Sequence, residues 1–344
     1  MAKFKLALII PHYREPREFL SRILASVEIQ QRVDLSTVQI IVVNDDPDYS
    51  IEAPELCPHV HSDFIMNPGK GVSAARNAGL RMADSEYVMF CDCDDMFANV
   101  YALNHIYDSL HCICDVLTTP LLAERFCEDG TPVLTQDSED LVHVHGKVYR
   151  RAFLLDEQLF FDESMSLNED CLFNVIALNI GEVAQCNVCC YVWRYNEESV
   201  TRRDPFFIQR TYASLVKVHG QMLTEFCRRG REDKARAFMV SFLIESFYTL
   251  NHPKFWTSES GRGFFTDSIE ALKIFVRDWG KYWNSLDLTM KGKISDAFRR
   301  KLRQSGMYFE YMTFESYLAS IGMRGEGGQN LSAAAVQDHV PTLL

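Results

Sequence analysis

The sequence predicts an α/β protein: a mixed, mostly parallel sheet flanked by helices, followed by a C-terminal helical region. Three observations carry that reading. Apolar runs rich in Val, Ile and Leu alternate with segments of helical period from Lys5 onward. Polar clusters close three of those runs, at Pro11–Arg14, Asn44–Pro47 and Asp92–Asp95. From Phe206 to about Ile321 the pattern turns helical and stays so. Strand–helix–strand alternation gathers ligands at the carboxyl ends of parallel strands, so the three clusters are expected to converge.

Taken in order, Lys5-Leu6-Ala7-Leu8-Ile9-Ile10 is a near-continuous apolar strand, as expected when helices cover both faces. Pro11 ends it. Pro16 suits the first turn of a helix whose Phe19, Leu20, Ile23, Leu24 and Val27 recur at helical spacing. Val38–Val43 is a second buried strand. Phe64-Ile65-Met66 is a short third strand, followed by the turn Pro68-Gly69-Lys70-Gly71 and a helix over Ser73–Met82. Tyr87–Cys91 then delivers Asp92, Asp94 and Asp95. A helix over Tyr101–Leu110 and a strand over Val116–Leu122 come next, with a turn at Asp129-Gly130 before Val133-Leu134. His143–Tyr149 reads as extended. Asn168 is placed as the N-cap of a helix opening on Glu169-Asp170, with Leu172, Phe173, Ile176 and Ala177 as its buried stripe. Val188–Trp193 is another strand. In the helical part, Gly230 and Asn251-His252-Pro253 are breaks and Gly261-Arg262-Gly263 a loop. The domains expected are 1–203, 204–322 and a flexible tail over 323–344, which lacks periodicity.

At 344 residues, 47% of them apolar and 24% charged, the chain can bury one large core or one large and one smaller. No apolar run approaches the roughly 20 residues of a membrane span. Met1-Ala2-Lys3-Phe4-Lys5 leads into a strand without a signal-peptide cleavage site, which points to the cytoplasm. Eleven cysteines include Cys91/Cys93, Cys112/Cys114 and Cys186/Cys189/Cys190. Their spacing suits small buried residues of a reducing compartment rather than the two well-separated pairs of a zinc site. Charge is uneven. Residues 1–201 carry net −18, whereas 202–310 carry net +8, with clusters at Arg228-Arg229, Arg231 and Arg299-Arg300-Lys301. Basic helices attract polyanions or an anionic membrane face. The partners this implies are a polyanionic polymer, a lipid-linked sugar at the inner membrane face, or nucleic acid. Solvated helix faces are the alternative, and an oligomer is compatible with either.

Three carboxylates within four residues repel one another unless a cation sits among them. Oxygen-only ligands suit Mg²⁺ or Mn²⁺. Alone, Asp92, Asp94 and Asp95 read equally well as a solvated acidic turn. Glu169-Asp170 would by itself be explained by the helix dipole. His143 and His145, two apart, read as exposed strand histidines more readily than as metal ligands.

Taken together and in order, these segments resemble the family 2 glycosyltransferases with the GT-A fold, a Rossmann-like arrangement. The resemblance runs from about Lys5 to Arg203. Ile9-Ile10-Pro11-His12-Tyr13 is similar to that family's opening strand and nucleotide-facing Pro-x-Tyr. Ile41-Val42-Val43-Asn44-Asp45 is similar to its second strand, whose aspartate binds the base. Gly71-Val72-Ser73-Ala74-Ala75-Arg76-Asn77-Ala78-Gly79 matches a specific family stretch almost letter for letter. Asp92-Cys93-Asp94-Asp95 falls at its metal motif. Lys147-Val148-Tyr149-Arg150-Arg151 followed by Asn168-Glu169-Asp170 matches the region ending in the catalytic carboxylate. Trp193-Arg194 and Ser199-Val200-Thr201-Arg202 resemble a segment that closes over the diphosphate.

The resemblance implies transfer from a nucleotide-diphosphate sugar, a UDP-sugar, to an acceptor hydroxyl of a glycan, polymer or lipid-linked sugar, with inversion and with Mn²⁺ or Mg²⁺. It implies Asp170 as general base, with Glu169 as the other candidate. Asp95, Asp94 and Asp92 are the implied metal ligands. Pro11, Tyr13, Asp45, Arg76, Asn77, Asp92, Asp94, Arg194 and Arg202 are the implied nucleotide contacts. Arg14, His12 and Asp46-Pro47 depart from the family pattern near the base. Two other classes compete. A sugar-phosphate nucleotidyltransferase also pairs carboxylates with a metal, but it wants a glycine-rich loop where Pro11-His12-Tyr13-Arg14 stands. A non-catalytic nucleotide- or carbohydrate-binding module would not need Asp92, Asp94, Asp95 and Asp170 together.

Overall fold

The computed structural model describes residues 2–48, 59–110, 114–137, 142–199, 204, 206–250, 259–305 and 313–323. The chain divides into two compact units, Met1–Ser199 and Val200–Leu344. The first is built on a seven-stranded mixed sheet. Its centre is β1 (Phe4–His12), with β2 (Val38–Asn44) and then β3 (His61–Met66) on one side and β4 (Ser85–Phe90) on the other, all parallel. Beyond β4 lie β9 (Lys147–Arg150), antiparallel to it, then β6 (Val116–Thr118) and β10 (Val183–Gln185). In β1, Leu6, Leu8, Ile9 and Ile10 are all fully buried. Burial at roughly 2 kcal/mol per such side chain explains why a continuous apolar run takes the sheet's centre.

Two helices pack on opposite faces of this sheet, the first over Leu6, Leu8 and Ile10 and the second over Ile9. The first, α1 (Arg17–Glu28), begins directly after Pro16 and buries Leu20, Ile23, Leu24 and Val27, the stripe its sequence spacing predicts. The next, α2 (Gly71–Met82), packs its small residues down on β1. A Cβ at Gly79 would stand 2.3 Å from Ile9 Cγ2, so the backbone approach itself requires glycine. A smaller four-stranded sheet holds β5 (Met96–Phe97), β11 (Tyr191–Trp193), β7 (Leu121–Phe126) and β8 (Pro132–Asp137), in that order. The second unit is helical: α6 (Phe207–Arg228), α7 (Glu232–Leu250), α8 (Glu259–Trp279), α9 (Lys281–Asn284), α10 (Leu288–Ser305) and α11 (Phe314–Ser320). Its core is aromatic, with Phe242, Phe247, Phe275, Phe298, Phe314 and Tyr317 buried. No helix among the described residues is long and apolar enough to cross a membrane.

Five local expectations are corrected. The run Val116–Leu122 is two strands in two sheets, because Thr119-Pro120 interrupts it and proline has no N–H for a ladder. His143–Gly146 is a bend and turn, not a strand; only Lys147–Arg150 is extended. The strand read from Val188 begins at Tyr191. Gly261-Arg262-Gly263 lies inside α8, whose packed face of Leu272, Phe275 and Val276 outweighs a glycine cost of about 1 kcal/mol each. Asn168 precedes α5 (Glu169–Ile180) but sits at φ 61° and makes no capping hydrogen bond with its side chain. The break at Asn251–Pro253 and the tail beyond Met323 lie outside the described residues.

Candidate active site

The three strand-end clusters do converge, since β2, β1 and β4 are neighbours in parallel. Backbone hydrogen bonds tie their ends: Asp45 N–H to the His12 carbonyl at 2.8 Å and Cys91 N–H to the Ile9 carbonyl at 3.0 Å. A tight turn follows β4, with Asp95 N–H donating to the Asp92 carbonyl at 3.2 Å. This turn presents Asp92, Asp94 and Asp95 in three different environments.

Asp92 accepts from Arg76 Nη2 at 3.0 Å on one oxygen and lies 2.9 Å from His145 Nε2 on the other. Burial penalises its charge, but His145 and Arg76 more than compensate and hold this carboxyl well below the usual range. Asp95 is fully buried. Its Oδ2 accepts from the Tyr191 hydroxyl at 2.9 Å and its Oδ1 from Arg194 N–H at 2.8 Å. Burial pushes the Asp95 carboxyl well up; His145 opposes that, while Asp92 and Asp94 add to it. Asp94 is likewise raised, by burial first and then by Asp92, although Asn196 Nδ2 donates to it at 2.8 Å. The Tyr191 hydroxyl also accepts from Asp92 N–H at 3.0 Å, locking the two ends of the turn together.

Arg76 is the hub. It is 4% exposed and bridges Asp92 to Glu169, whose Oε1 lies 3.0 Å from Nη1. Burial disfavours its charge, yet Asp92, Glu169 and Asp170 outweigh that and raise it. Phe161 lies under its guanidinium at 5.2 Å. Asp170, next on α5, is half-buried, with Oδ1 accepting from Cys171 N–H at 2.8 Å. Both carboxylates therefore reach the acidic turn through one arginine, Glu169 by direct contact and Asp170 through its field.

The remaining expected residues are placed as follows. Pro11 is at the end of β1, and Tyr13 just beyond it is 55% exposed. Asp45 accepts from Asn67 Nδ2 at 2.6 Å and from Gly71 N–H at 2.9 Å, so it ties β2 to the start of α2. Asn77 is buried and its amide is committed to Phe161 and Glu163, bracing the segment before α5. Arg194 pairs with Glu124 at 3.2 Å. Arg202 lies outside the described residues. Arg14 and Asp46, both departures from the family pattern, pair with each other across the β1 and β2 ends.

His145 is the correction of greatest consequence. Read as one of two exposed histidines, it is 5% exposed and lies inside the acidic cluster. The alternation Val142–His145 suggests a strand, and only the following Gly146 hinted at a turn. Tyr191 and Asn196 escaped sequence reasoning altogether, because neither residue type in a strand or loop signals a carboxylate partner. One nitrogen or oxygen each from Asp92, Asp95 and His145 lies within 4.8 Å of the others. This donor set, with the charge of two of its three neighbouring carboxylates disfavoured, fits a divalent cation.

Comparison with known proteins bears on this arrangement. The model of Glycosyl transferase family 2 matches residues 7–111. The succinoglycan biosynthesis protein ExoW of Rhizobium meliloti is 36% identical over 107 residues, 29% of this chain and 32% of that protein. The uncharacterized glycosyltransferase EpsJ of Bacillus subtilis is 28% identical over 222 residues, 57% of this chain and 62% of that protein. The poly(ribitol-phosphate) beta-N-acetylglucosaminyltransferase TarS of Staphylococcus aureus is 24% identical over 257 residues, 65% of this chain and 44% of that protein. The chain thus spans less than two thirds of the length of these relatives. Residues 1–349 of S. aureus TarS, crystallised with UDP-GlcNAc, superpose with a TM-score of 0.60 at 18% identity, over 80% of this chain and 82% of that one, a likeness of fold. Family match and the carboxylate turn at the end of β4 agree over the same stretch: residues 7–111 are a glycosyl transferase family 2 segment, in a unit whose fold is like that of TarS.

Proposed function

We propose that this chain transfers a sugar from a UDP-sugar to an acceptor hydroxyl by a single displacement that inverts the anomeric carbon, aided by a divalent ion. The observation that carries the reading is the chain of buried contacts from Glu169 through Arg76 to Asp92, next to Asp95 and one residue from Asp170. Asp92 and Asp95, with Asp94 beside them, would hold Mn²⁺ or Mg²⁺. Bound there, the ion supplies Lewis-acid stabilisation of the departing diphosphate. Arg76 fixes the orientation of Asp92 and, through Glu169, the first turn of α5. Glu169 is thereby engaged, which leaves Asp170 to take the proton from the acceptor hydroxyl. The exposed ring of Tyr13 is available to stack on the base, and Pro11 and Asp45 frame the same strand ends.

The donor assignment is supported by TarS, which was crystallised with UDP and with UDP-GlcNAc. The acceptor class is supported by the names of the relatives, one acting on a poly(ribitol-phosphate) and one in succinoglycan biosynthesis. A phosphate-bearing polymer also suits the net +8 of residues 202–310. We place the reaction at the cytoplasmic side, with peripheral attachment to the inner membrane face through the basic helices, as part of the same proposal. The test is UDP release from a panel of UDP-sugars with Mn²⁺ or with a chelator. UDP release that needs the metal is expected. Asp170→Asn should lower turnover by about 10²–10⁴-fold with donor affinity nearly unchanged. Pyrophosphate release instead of UDP, or a product that retains the donor's anomeric configuration by NMR, would refute the reading.

A further inference from the structure

His145 occupies a place that its neighbours have built for it. Its Nε2 lies 2.9 Å from Asp92 Oδ2 and 3.7 Å from Asp95 Oδ2, and the residue is 5% exposed. The ring stacks on Tyr191 (centroids 5.8 Å apart, planes 22° apart) and on Trp193 (5.8 Å, 20°). The backbone is held as firmly. Lys147, itself buried, donates from Nζ to the His143 carbonyl at 2.6 Å and to the His145 carbonyl at 3.4 Å. Gly146 takes φ 67°, where a Cβ would meet the Thr119 carbonyl oxygen at 3.0 Å, so the turn that aims His145 needs glycine. Nδ1 is buried without a hydrogen-bond partner among the described residues. Ring orientation is therefore set by aromatic stacking rather than by the hydrogen bond on the far nitrogen that commonly orients a metal-bound histidine.

We infer that His145 is a direct ligand of the divalent ion through Nε2, completing a site with Asp92 and Asp95. This rests on the metal-dependent reading above and goes beyond it in two ways. It adds a nitrogen ligand from a turn before β9 to a site otherwise made of carboxylates. It also sets a preference: imidazole nitrogen suits Mn²⁺ and Co²⁺ better than Mg²⁺, which favours oxygen ligands. The ion should consequently be selected by this histidine rather than by the carboxylates alone.

The deciding experiment is pulsed electron paramagnetic resonance of the full chain loaded with Mn²⁺ in the absence of nucleotide. Modulation from a directly bound ¹⁴N is expected in the wild type and absent in His145→Gln. In calorimetry the same variant should lose at least about tenfold in Mn²⁺ affinity, the scale seen even for partners outside the ligand sphere. Its Mg²⁺ affinity should change far less. Bound Mn²⁺ without ¹⁴N coupling in the wild type overturns the inference and leaves the metal-dependent reading intact. So does coupling that survives in His145→Gln. Failure of the wild type to bind Mn²⁺ at all overturns both. The wild-type spectrum decides the question even if the variant does not fold.

Discussion

The two units of this chain use charge in opposite ways. In the first, Arg76, Asp95, Lys147, His145 and Glu169 are each no more than 9% exposed and interlocked across distant segments. In the second, most ion pairs among the described residues are open to solvent, Arg229 with a 9% exposed side chain being an exception, and several lie along one helix face. Arg228 and Arg229 share Glu225, Lys273 pairs with Glu270 and Arg299 with Asp296, at helical spacings of three or four. The same kinds of pair thus serve different ends. Buried pairs fix carboxylates in defined orientations and are costly to break singly. Exposed pairs are screened and worth a few tenths of a kcal/mol, leaving the unit a diffuse positive field.

Three substitutions would break or sharpen that contrast. The largest effect is expected from Arg76→Met, which keeps bulk but leaves Asp92 and Glu169 without their shared cation. Breaking one side of a buried pair costs about 3–5 kcal/mol, to be read as a drop in the denaturation midpoint. A loss below about 1 kcal/mol would mean the network is solvated after all.

A smaller effect comes from pH in the second unit. His219 stacks on Phe242 with ring centroids 3.8 Å apart, and its Nδ1 lies 2.9 Å from the Leu215 carbonyl. Burial lowers it to about 4, with the contact to Leu215 opposing. The unfolded chain would protonate it near its ordinary 6.5, before the folded protein does. Stability from this group is therefore complete above about pH 6.5 and is lost as pH falls toward 4. Between pH 7 and 5 the wild type should lose about 1–2 kcal/mol more than His219→Phe, which keeps the stack but cannot titrate. Equal losses would refute the assignment. The smallest effect is expected at the surface: Glu270→Gln, which removes only the exposed pair with Lys273, should cost less than about 1 kcal/mol, by thermal unfolding in moderate salt.

The sequence made the strand-end carboxylates legible because each follows an apolar run too regular to mistake. Asp92, Asp94 and Asp95 stood out for that reason, as did the helix stripe of α1. The partners of those carboxylates were harder. Arg76 lies 16 residues from Asp92 and was marked only by the family-like stretch around it. His145 lies 53 residues away, in a segment whose alternation imitates a strand. Its burial depends on Lys147 gripping two carbonyls and on a left-handed Gly146, neither of which has a periodicity to read. Thr119-Pro120 shows the same limit, since one apolar run supplied strands to two sheets. Pattern reports what lies along an element. It is silent on what meets across the fold, where the cations of this site come from.

The central claim, that the carboxylate turn holds a metal which in turn holds the donor diphosphate, is tested most directly by calorimetry of UDP binding. Wild type and Asp95→Asn should be titrated with and without Mn²⁺. Asn at position 95 removes the charge and keeps one acceptor oxygen for the two donors, the Tyr191 hydroxyl and Arg194 N–H, that Asp95 serves with two. The account predicts UDP affinity that rises strongly with Mn²⁺ in the wild type and loses that dependence in Asp95→Asn. UDP affinity indifferent to Mn²⁺ in the wild type, or equally enhanced by it in the variant, would contradict it.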